Sequence, residues 1–266
     1  MGTPLPELLT LLQTLAPLEL AEEWDNVGLL LAPVDHGEIE RILLTIDLTE
    51  PVLAEALAQK AQMVIAYHPP LFKGVRRLTR ETAGERVLVD ALRAGLFVYS
   101  PHTALDAADG GINHWLAGLV GSGAGRPIIP HPNAQGLGVG HRVELHEPIT
   151  FEKALIAIKT GLGLIHARVA QADRHRQGEP IRSVAVCAGS GGSVFERVGP
   201  VDLLLTCEMR HHDVLVRVAD GTSVILTEHS NSERGYLPHL AARMVQALPG
   251  LQVRVSQMDR DPLSME

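Results

Sequence analysis

Residues 41–70 read RILLTIDLTEPVLAEALAQKAQMVIAYHPP and carry the pattern that decides the fold. Two apolar runs, 41–47 and 62–67, predict strands, and the segment 51–61 between them predicts a helix. Strands that alternate with helices in this way form a parallel or mixed sheet covered by helices. The sequence therefore predicts an α/β protein.

The same alternation continues along the chain. Further strands are predicted at 96–100, 142–146, 181–188, 201–207, 223–228 and 251–256. Further helices are predicted at 82–95, 110–119, 151–161, 209–219 and 234–248. The glycine- and proline-rich stretch 121–140 predicts an interdomain crossover. The polar stretch 173–180 predicts an exposed loop that leaves His175 in solvent.

Composition excludes several classes of protein. The 266 residues include 31 Asp and Glu against 23 Lys and Arg, a formal net charge of -8, which argues against nucleic acid or an anionic membrane as the main partner. The two cysteines, Cys187 and Cys207, lie in apolar runs and are expected to be buried, which leaves no cysteine zinc site. Without a signal sequence or a run of about 18 apolar residues, the chain is expected to be cytoplasmic.

Histidines follow three of the predicted strands. The chain has 13 of them, and His68, His102 and His229 come after 62–67, 96–100 and 223–228 respectively. Ligand sites of α/β sheets assemble at the carboxyl ends of strands. These three histidines are therefore the ones expected in a site. The others are expected to be solvated or hydrogen-bonded, at positions 36, 114, 131, 141, 146, 166, 175 and 239.

Two of these histidines are followed four residues later by a carboxylate. Asp106 follows His102 and Glu233 follows His229, and this spacing puts both side chains on one helix face. Imidazole and carboxylate ligands suit zinc, iron or manganese, and bound ions activate water for hydrolysis. The alternative is that each pair only caps a helix, but two pairs and a third histidine favour a hydrolytic metal site.

Three other segments allow a structural and a functional interpretation. In residues 208–213 (EMRHHD), His211 and His212 point about 100° apart on a helix, so at most one faces an ion. The alternative there is a polar helix start. Residues 187–193 (CAGSGGS) either form an anion-binding nest or, as we favour, a tight turn. Asp25 and the residue after it are interpreted as turn formers.

The chain resembles the Ngg-one-interacting factor three family, also called dinuclear-metal-centre proteins and often labelled GTP cyclohydrolase I type 2 homologues. The resemblance rests on EEWDNVGLLL (22–31), IAYHPPLFKGVRRLT (65–79), VYSPHTALDAADGGINHWLA (98–117), VAVCAGSGGS (184–193), LTCEMRHHD (205–213), VILTEHSNSERGYL (224–237) and DRDPL (259–263). The YHPP, EMRHHD and DRDPL versions are most similar to the branch that includes eukaryotic members.

The resemblance implies a set of metal ligands. It assigns His68, Asp106, His229 and Glu233 to one or two divalent ions, with His102 as a further candidate and Glu233 bridging the ions. Many bacterial relatives carry a histidine where this chain has Tyr67. A phenol with a pKa near ~10 is a poorer ligand, which weakens the second ion's site. Compensation would come from His102, His211 or His212, and Tyr67 and Glu208 would lie beside the ligands.

The resemblance also implies an architecture and an assembly. One α/β subdomain is expected to hold the metal site and to consist of 1–125 plus 222–266, and the second is expected to consist of 126–221. The subdomains are expected to form a toroidal homohexamer.

Two functions remain open from the sequence. The first is a metal-dependent hydrolase acting on a nucleotide through activated water, with opening of the guanine ring of GTP as the named reaction. A phosphoester hydrolase fits the same residues. The second is a non-catalytic metal-binding or scaffold protein, which the Tyr67 substitution favours.

Overall fold

A computed structural model describes residues 2–33 and 37–263; the predicted background histidine at position 36 lies outside the described residues. The strands are β1 Gly28–Leu31, β2 Arg41–Thr45, β3 Met63–Ala66, β4 Phe97–Ser100, β5 Gly123–Arg126, β6 Ile129–Pro130, β7 Gly138–Val139, β8 His141–Ile149, β9 Arg168–Ala170, β10 Ile181–Cys187, β11 Leu203–Thr206, β12 Ser223–Leu226 and β13 Gln252–Val255. The helices are α1 Leu5–Leu15, α2 Glu50–Ala58, α3 Ala83–Arg93, α4 His102–Ala107, α5 Ile112–Val120, α6 Phe151–Leu162, α7 Asp173–Arg176, α8 Gly192–Phe195, α9 His211–Ala219, α10 Asn231–Arg234 and α11 Leu237–Ala247, with a 3₁₀ turn at Leu18–Leu20. The predicted α/β class, with mixed sheets flanked by helices, is confirmed.

The chain forms two compact units. The first comprises the described residues of 1–105 and 237–266, and the second comprises 106–236. The predicted ranges divide the chain after 125 and after 221 instead. Helix α5 packs on β8 and β10, and α10 packs on α6. Residues 106–125 and 222–236 therefore belong to the second unit.

The first unit is built on a five-stranded sheet in the order β1-β4-β3-β2-β13. Strands β4, β3, β2 and β13 are parallel, and β1 pairs antiparallel with β4 at one edge. Strand β13 pairs with β2, so the C-terminal segment completes the sheet. Asp259, in the DRDPL stretch, is buried and accepts a hydrogen bond of 2.8 Å from the Ile46 N–H just beyond β2.

The second unit is built on a six-stranded sheet in the order β5-β8-β10-β11-β12-β9. Strands β10, β11 and β12 are parallel, and the outer strands pair antiparallel. Fully buried residues of these strands, among them Ala185 and Leu204, pack against Phe195 of α8. Cys187 and Cys207 are both buried, as the sequence predicts.

The predicted crossover 121–140 lies within the second unit and carries three short strands. Glycine allows β5 to approach β8. A Cβ on Gly123 would stand 2.1 Å from the Glu144 carbonyl oxygen, and one on Gly125 would stand 2.3 Å from His141 Nε2. The glycines that suggest a linker are needed here because β5 lies too close to β8 for a larger residue at Gly123 or Gly125.

The predicted exposure of His175 is wrong. Its side chain is buried on α7, and its Nδ1 lies 2.7 Å from the Ser223 hydroxyl. Burial, followed by the charge of Arg174, lowers its pKa. The residues around His175 are polar and indicate an exposed loop. Instead they form the short helix α7, which directs the His175 side chain into the interior. Within residues 2–33 and 37–263, no helix has both the length and the apolar character needed to cross a bilayer.

Candidate functional site

In the first unit, three candidate polar residues follow three adjacent parallel strands. Asp47 comes after β2, His68 after β3 and His102 after β4. The carboxyl ends of parallel strands meet at one sheet edge, and the imidazole rings of His68 and His102 lie 5.4 Å apart there. The structure thus brings two sequence-predicted ligands together.

A carboxylate contacts Nδ1 of each of these histidines. The distance from His68 Nδ1 to Asp47 Oδ1 is 2.9 Å, and from His102 Nδ1 to Asp25 Oδ1 it is 2.8 Å. With the proton on Nδ1, each ring donates to its carboxylate and its Nε2 becomes the atom available to a metal. This carboxylate–histidine arrangement fixes the ring orientation that coordination requires.

Asp25 is held as a charged group beneath His102. Burial acts to raise its pKa, but hydrogen bonds with His102 and Thr103 outweigh this and hold the pKa below its usual value. Asp25 accepts from the Thr103 backbone N–H at 3.1 Å and also from the Thr103 hydroxyl. Asp25 therefore anchors the start of α4 as well as the imidazole.

Tyr67 lies beside the two imidazoles as a packed aromatic ring. Its side chain is buried, with ring centroids 5.0 Å from His68 and 5.3 Å from His102. Its backbone carbonyl accepts a hydrogen bond of 2.8 Å from the Ser100 hydroxyl. Tyr67 therefore packs against the two imidazole rings and supports their position.

In the second unit, candidate residues again follow parallel strands. Gly189 comes after β10, Glu208 after β11 and His229 after β12. The exposed carboxylate of Glu208 lies 3.4 Å from His229 Nδ1. Glu208, which the sequence analysis placed beside the ligands, therefore contacts the predicted ligand His229.

His229 and Glu233 form a donor pair of the second unit. A ring nitrogen of His229 and a carboxylate oxygen of Glu233 lie within 4.8 Å of each other. The Glu233 side chain is buried, whereas His229 is exposed. The predicted four-residue spacing therefore brings these two donor atoms together, and such a His/Glu group can hold a metal ion.

The glycine-rich turn passes directly over this pair. Gly189 has φ +64°, and a Cβ there would stand 3.3 Å from Glu233 Oε1 and 3.9 Å from His229 Nε2. The Thr206 hydroxyl donates to the Gly189 carbonyl and accepts from the Gly191 N–H, each at 3.1 Å. The turn is therefore tight, as favoured from the sequence, and its glycine leaves space beside the two donors.

The remaining sequence-predicted residues lie outside this donor pair. His211 and His212 begin α9 with exposed side chains and ring centroids 5.5 Å apart. Among the described residues, neither joins His229 and Glu233 in a group of ligand atoms. Asp106 lies on α4 with His102, and its backbone carbonyl accepts a hydrogen bond of 3.1 Å from Asn113.

Two candidate loops contain left-handed backbone at a residue other than glycine. His102 has φ 27° and Glu228, which precedes His229, has φ 65°. Such conformations cost free energy and persist where surrounding contacts hold them, most often at functional sites. At His102, that contact is the hydrogen bond with Asp25.

A cavity of about 480 Å³ opens in the second unit beside Glu208. It is lined by the glycine-rich turn and the start of α9, with side chains or backbone from Ser190, Gly192, Ser193, Glu196, Glu208, Met209, Arg210 and Asp213. Because Glu208 also contacts His229, the cavity borders the donor pair.

Comparison with known proteins assigns the family. A family model described as Duf34/NIF3 (NGG1p interacting factor 3) matches residues 4–262. The chain belongs to this family. NIF3-like protein 1 of Drosophila melanogaster is 40% identical over 98% of this chain and 89% of its own length. The NIF3 homolog of Schizosaccharomyces pombe is 40% identical over 92% of both chains. The resemblance seen in the motifs, and its eukaryotic character, are confirmed.

Two solved structures share the fold of this chain. A Bacillus cereus protein related to NIF3 superposes with a TM-score of 0.88 at 17% identity and covers 100% of this chain and 99% of its own. Reduced HcgD from Methanocaldococcus jannaschii has a TM-score of 0.82 at 22% identity, with 97% of this chain and 99% of its own covered. At these identities the similarity establishes the fold.

Sequence reasoning missed two residues of this region. Asp47 carried a usable signal, because it is the last residue of the predicted strand 41–47 and so stands at a strand end, as His68 does after 62–67. Asp25 carried no such signal, because its partner His102 is 77 residues away and the residues next to Asp25 are typical of a turn.

Proposed function

We propose that this protein is a divalent-metal hydrolase acting on a nucleotide. The observation that carries the proposal is the His229–Glu233 donor pair, beside which Gly189 places no side chain. The orientation of His68 and His102 by buried or partly buried carboxylates supports it.

The proposed ligands are His68, Asp106, His229 and Glu233, with His102 as a fifth. Their donors, imidazole nitrogens and carboxylate oxygens, suit zinc, iron or manganese. One or two ions would be held per chain. Bound there, a divalent ion lowers the pKa of a coordinated water and polarises the bond to be hydrolysed.

The protein's own residues would orient ligands and admit substrate. Asp47 and Asp25 keep Nε2 of the two first-unit histidines directed away from their carboxylates. Glu208, exposed beside His229 at the cavity, is the group available to accept a proton there. Hydrolytic opening of the guanine ring of GTP and hydrolysis of a phosphoester are the two reactions to be tested.

The direct test measures metal and turnover on the same wild-type preparation. Protein purified without chelator should contain at least one equivalent of zinc, iron or manganese by elemental analysis. It should hydrolyse GTP or a phosphoester, lose that activity on chelation and regain it on return of the metal found. Metal without any turnover would point to the non-catalytic binding function, and a metal-free preparation that takes up none would contradict both.

Asp25→Asn tests whether the carboxylate orients His102. Asparagine keeps the size of the side chain but weakens the charge-assisted hydrogen bond to Nδ1, so affinity for the metal should fall about 10–100-fold. Competition with a chelator of known affinity measures this change. Glu23→Gln, an exposed neighbour, is the matched control and should leave the affinity as in wild type. Equal affinity in Asp25→Asn and the control would contradict a role for Asp25.

A homohexamer and a cytoplasmic location complete the proposal. Light scattering of the purified chain tests the assembly, and a mass of one subunit would contradict it. Fractionation of the source cells tests the location.

A further inference from the structure

Two aromatic side chains of the first unit are exposed next to the candidate ligands. Trp24 is 59% exposed and Phe72 is 47% exposed, although the chain has only two Trp and four Phe. Large apolar side chains grouped at a surface mark binding sites more often than isolated ones do. Their shared position is therefore informative.

These rings form a corner around His102. The centroids of Trp24 and Phe72 are 6.0 Å apart with an interplanar angle of 65°. His102 lies 6.0 Å from Trp24 and 6.5 Å from Phe72. The Asn26 side-chain amide donates to the Leu71 carbonyl and so ties the loops that carry the rings. The two exposed rings therefore lie next to each other and next to His102.

A cationic segment continues directly from this corner. Lys73, Arg76 and Arg77 follow Phe72 within five positions, and all are exposed. In a chain with a net charge of -8, three cations so close together create a local site for an anion. Lysine and arginine bind phosphate through charge-assisted hydrogen bonds.

We infer that Trp24 stacks on the base of a nucleotide and that Phe72, inclined at 65° to Trp24, packs against the edge of the same base, while Lys73, Arg76 and Arg77 hold its phosphates. An aromatic face binds a planar base with roughly 1–3 kcal/mol per base and tolerates any of the bases. The positive charge of the three cations matches the negative charge of the phosphate attached to such a base. The binding site assigned to the substrate is then the aromatic corner and the cationic segment, and the glycine-rich turn is not needed for the phosphates.

The inference takes its ligand class from the proposed function, and binding to metal-free protein separates the two. Trp115→Phe leaves Trp24 as the single tryptophan, because the chain contains two. The chelated variant is titrated with GMP, with guanosine and with inorganic phosphate, and Trp24 fluorescence is excited beyond the absorption of the base. GMP should quench it saturably. Guanosine should bind about tenfold more weakly, which corresponds to about 1.4 kcal/mol, and phosphate alone should not quench.

Two matched variants assign the contacts. Arg76→Ser/Arg77→Ser should weaken GMP binding at least about fivefold and leave guanosine binding unchanged. Arg93→Ser/Arg254→Ser removes the same charge from exposed positions of the same unit and should change neither. Phe72→Ala should weaken both ligands.

The inference is overturned if GMP causes no saturable quenching, or if both double variants weaken GMP equally. It is also overturned if fluorescence changes only with protein concentration, since a second copy of the chain would then cover the corner. Quenching without turnover would support the binding site and contradict the proposed hydrolysis. Turnover without quenching would support the hydrolysis and contradict the site.

Discussion

Replacing Glu233 with glutamine should lower turnover by a factor of about 10³ and should remove most of the bound metal. Glutamine keeps the volume of this buried side chain, so the fold should persist. It lacks the negative charge, and a neutral amide is a poor ligand for zinc, iron or manganese. Elemental analysis and turnover of the wild-type substrate are measured on one preparation.

Glu147→Gln is the matched control for this experiment. It makes the same chemical change at an exposed position of β8 in the same unit. Its metal content and turnover should equal those of wild type. Thermal unfolding of chelated protein should be the same for wild type and both variants, which separates loss of metal from loss of fold. Full metal and turnover in Glu233→Gln would contradict the proposed site.

Much of the fold follows from the sequence because central strands are locally encoded. The eight predicted strands each correspond to an observed one, and these are the apolar strands of the sheet centres together with β8 and β13. Strands β1, β5, β6, β7 and β9 escaped prediction. Strands β1, β5 and β9 are short edge strands, and β6 and β7 have two residues each and pair only with each other. Such short strands carry little pattern of their own, and β5 is rich in glycine, so their pairing depends on their partners.

The residues of the candidate site also differ in whether local sequence or tertiary contacts determine them. His68, His102 and His229 could be selected because strand ends are visible in the sequence, and Glu233 because its spacing to His229 is local. Asp25 and the corner formed by Trp24 and Phe72 could not, since each depends on contacts across the sheet edge. Local patterns identify the donors, whereas the residues that orient them and surround them are fixed by tertiary packing.

Asp202→Ala should lower the free energy of unfolding at neutral pH by about 2–4 kcal/mol. One oxygen of Asp202 accepts from the backbone N–H groups of Arg182, at 2.7 Å, and Ser183, at 3.0 Å. The other oxygen pairs with the guanidinium of Arg174. Alanine would leave these donors at the start of β10 without their acceptor, in a largely buried position.

The lowered pKa of Asp202 determines how the loss of stability in Asp202→Ala changes with pH. Burial acts to raise the pKa of Asp202, but the hydrogen bonds from Arg182, Arg174 and Ser183 outweigh it and hold the pKa below its usual value. A carboxylate with a lowered folded-state pKa contributes stability that is fully present above its unfolded pKa of about 3.9 and is lost as pH falls through the folded value. The difference between wild type and Asp202→Ala should therefore be largest at neutral pH and should shrink in acid.

Urea unfolding at neutral and at acid pH measures both the size and the sign of this effect. Asp220→Ala, at an exposed position after α9, is the matched control and should change the free energy of unfolding by less than about 0.5 kcal/mol. A penalty for Asp202→Ala that is equal to the control, or that grows as pH falls, would contradict the assignment. Because the network ties the start of β10 to the residue before β11, its loss should destabilise the parallel strands that precede Gly189 and Glu208 and so weaken the donor pair indirectly.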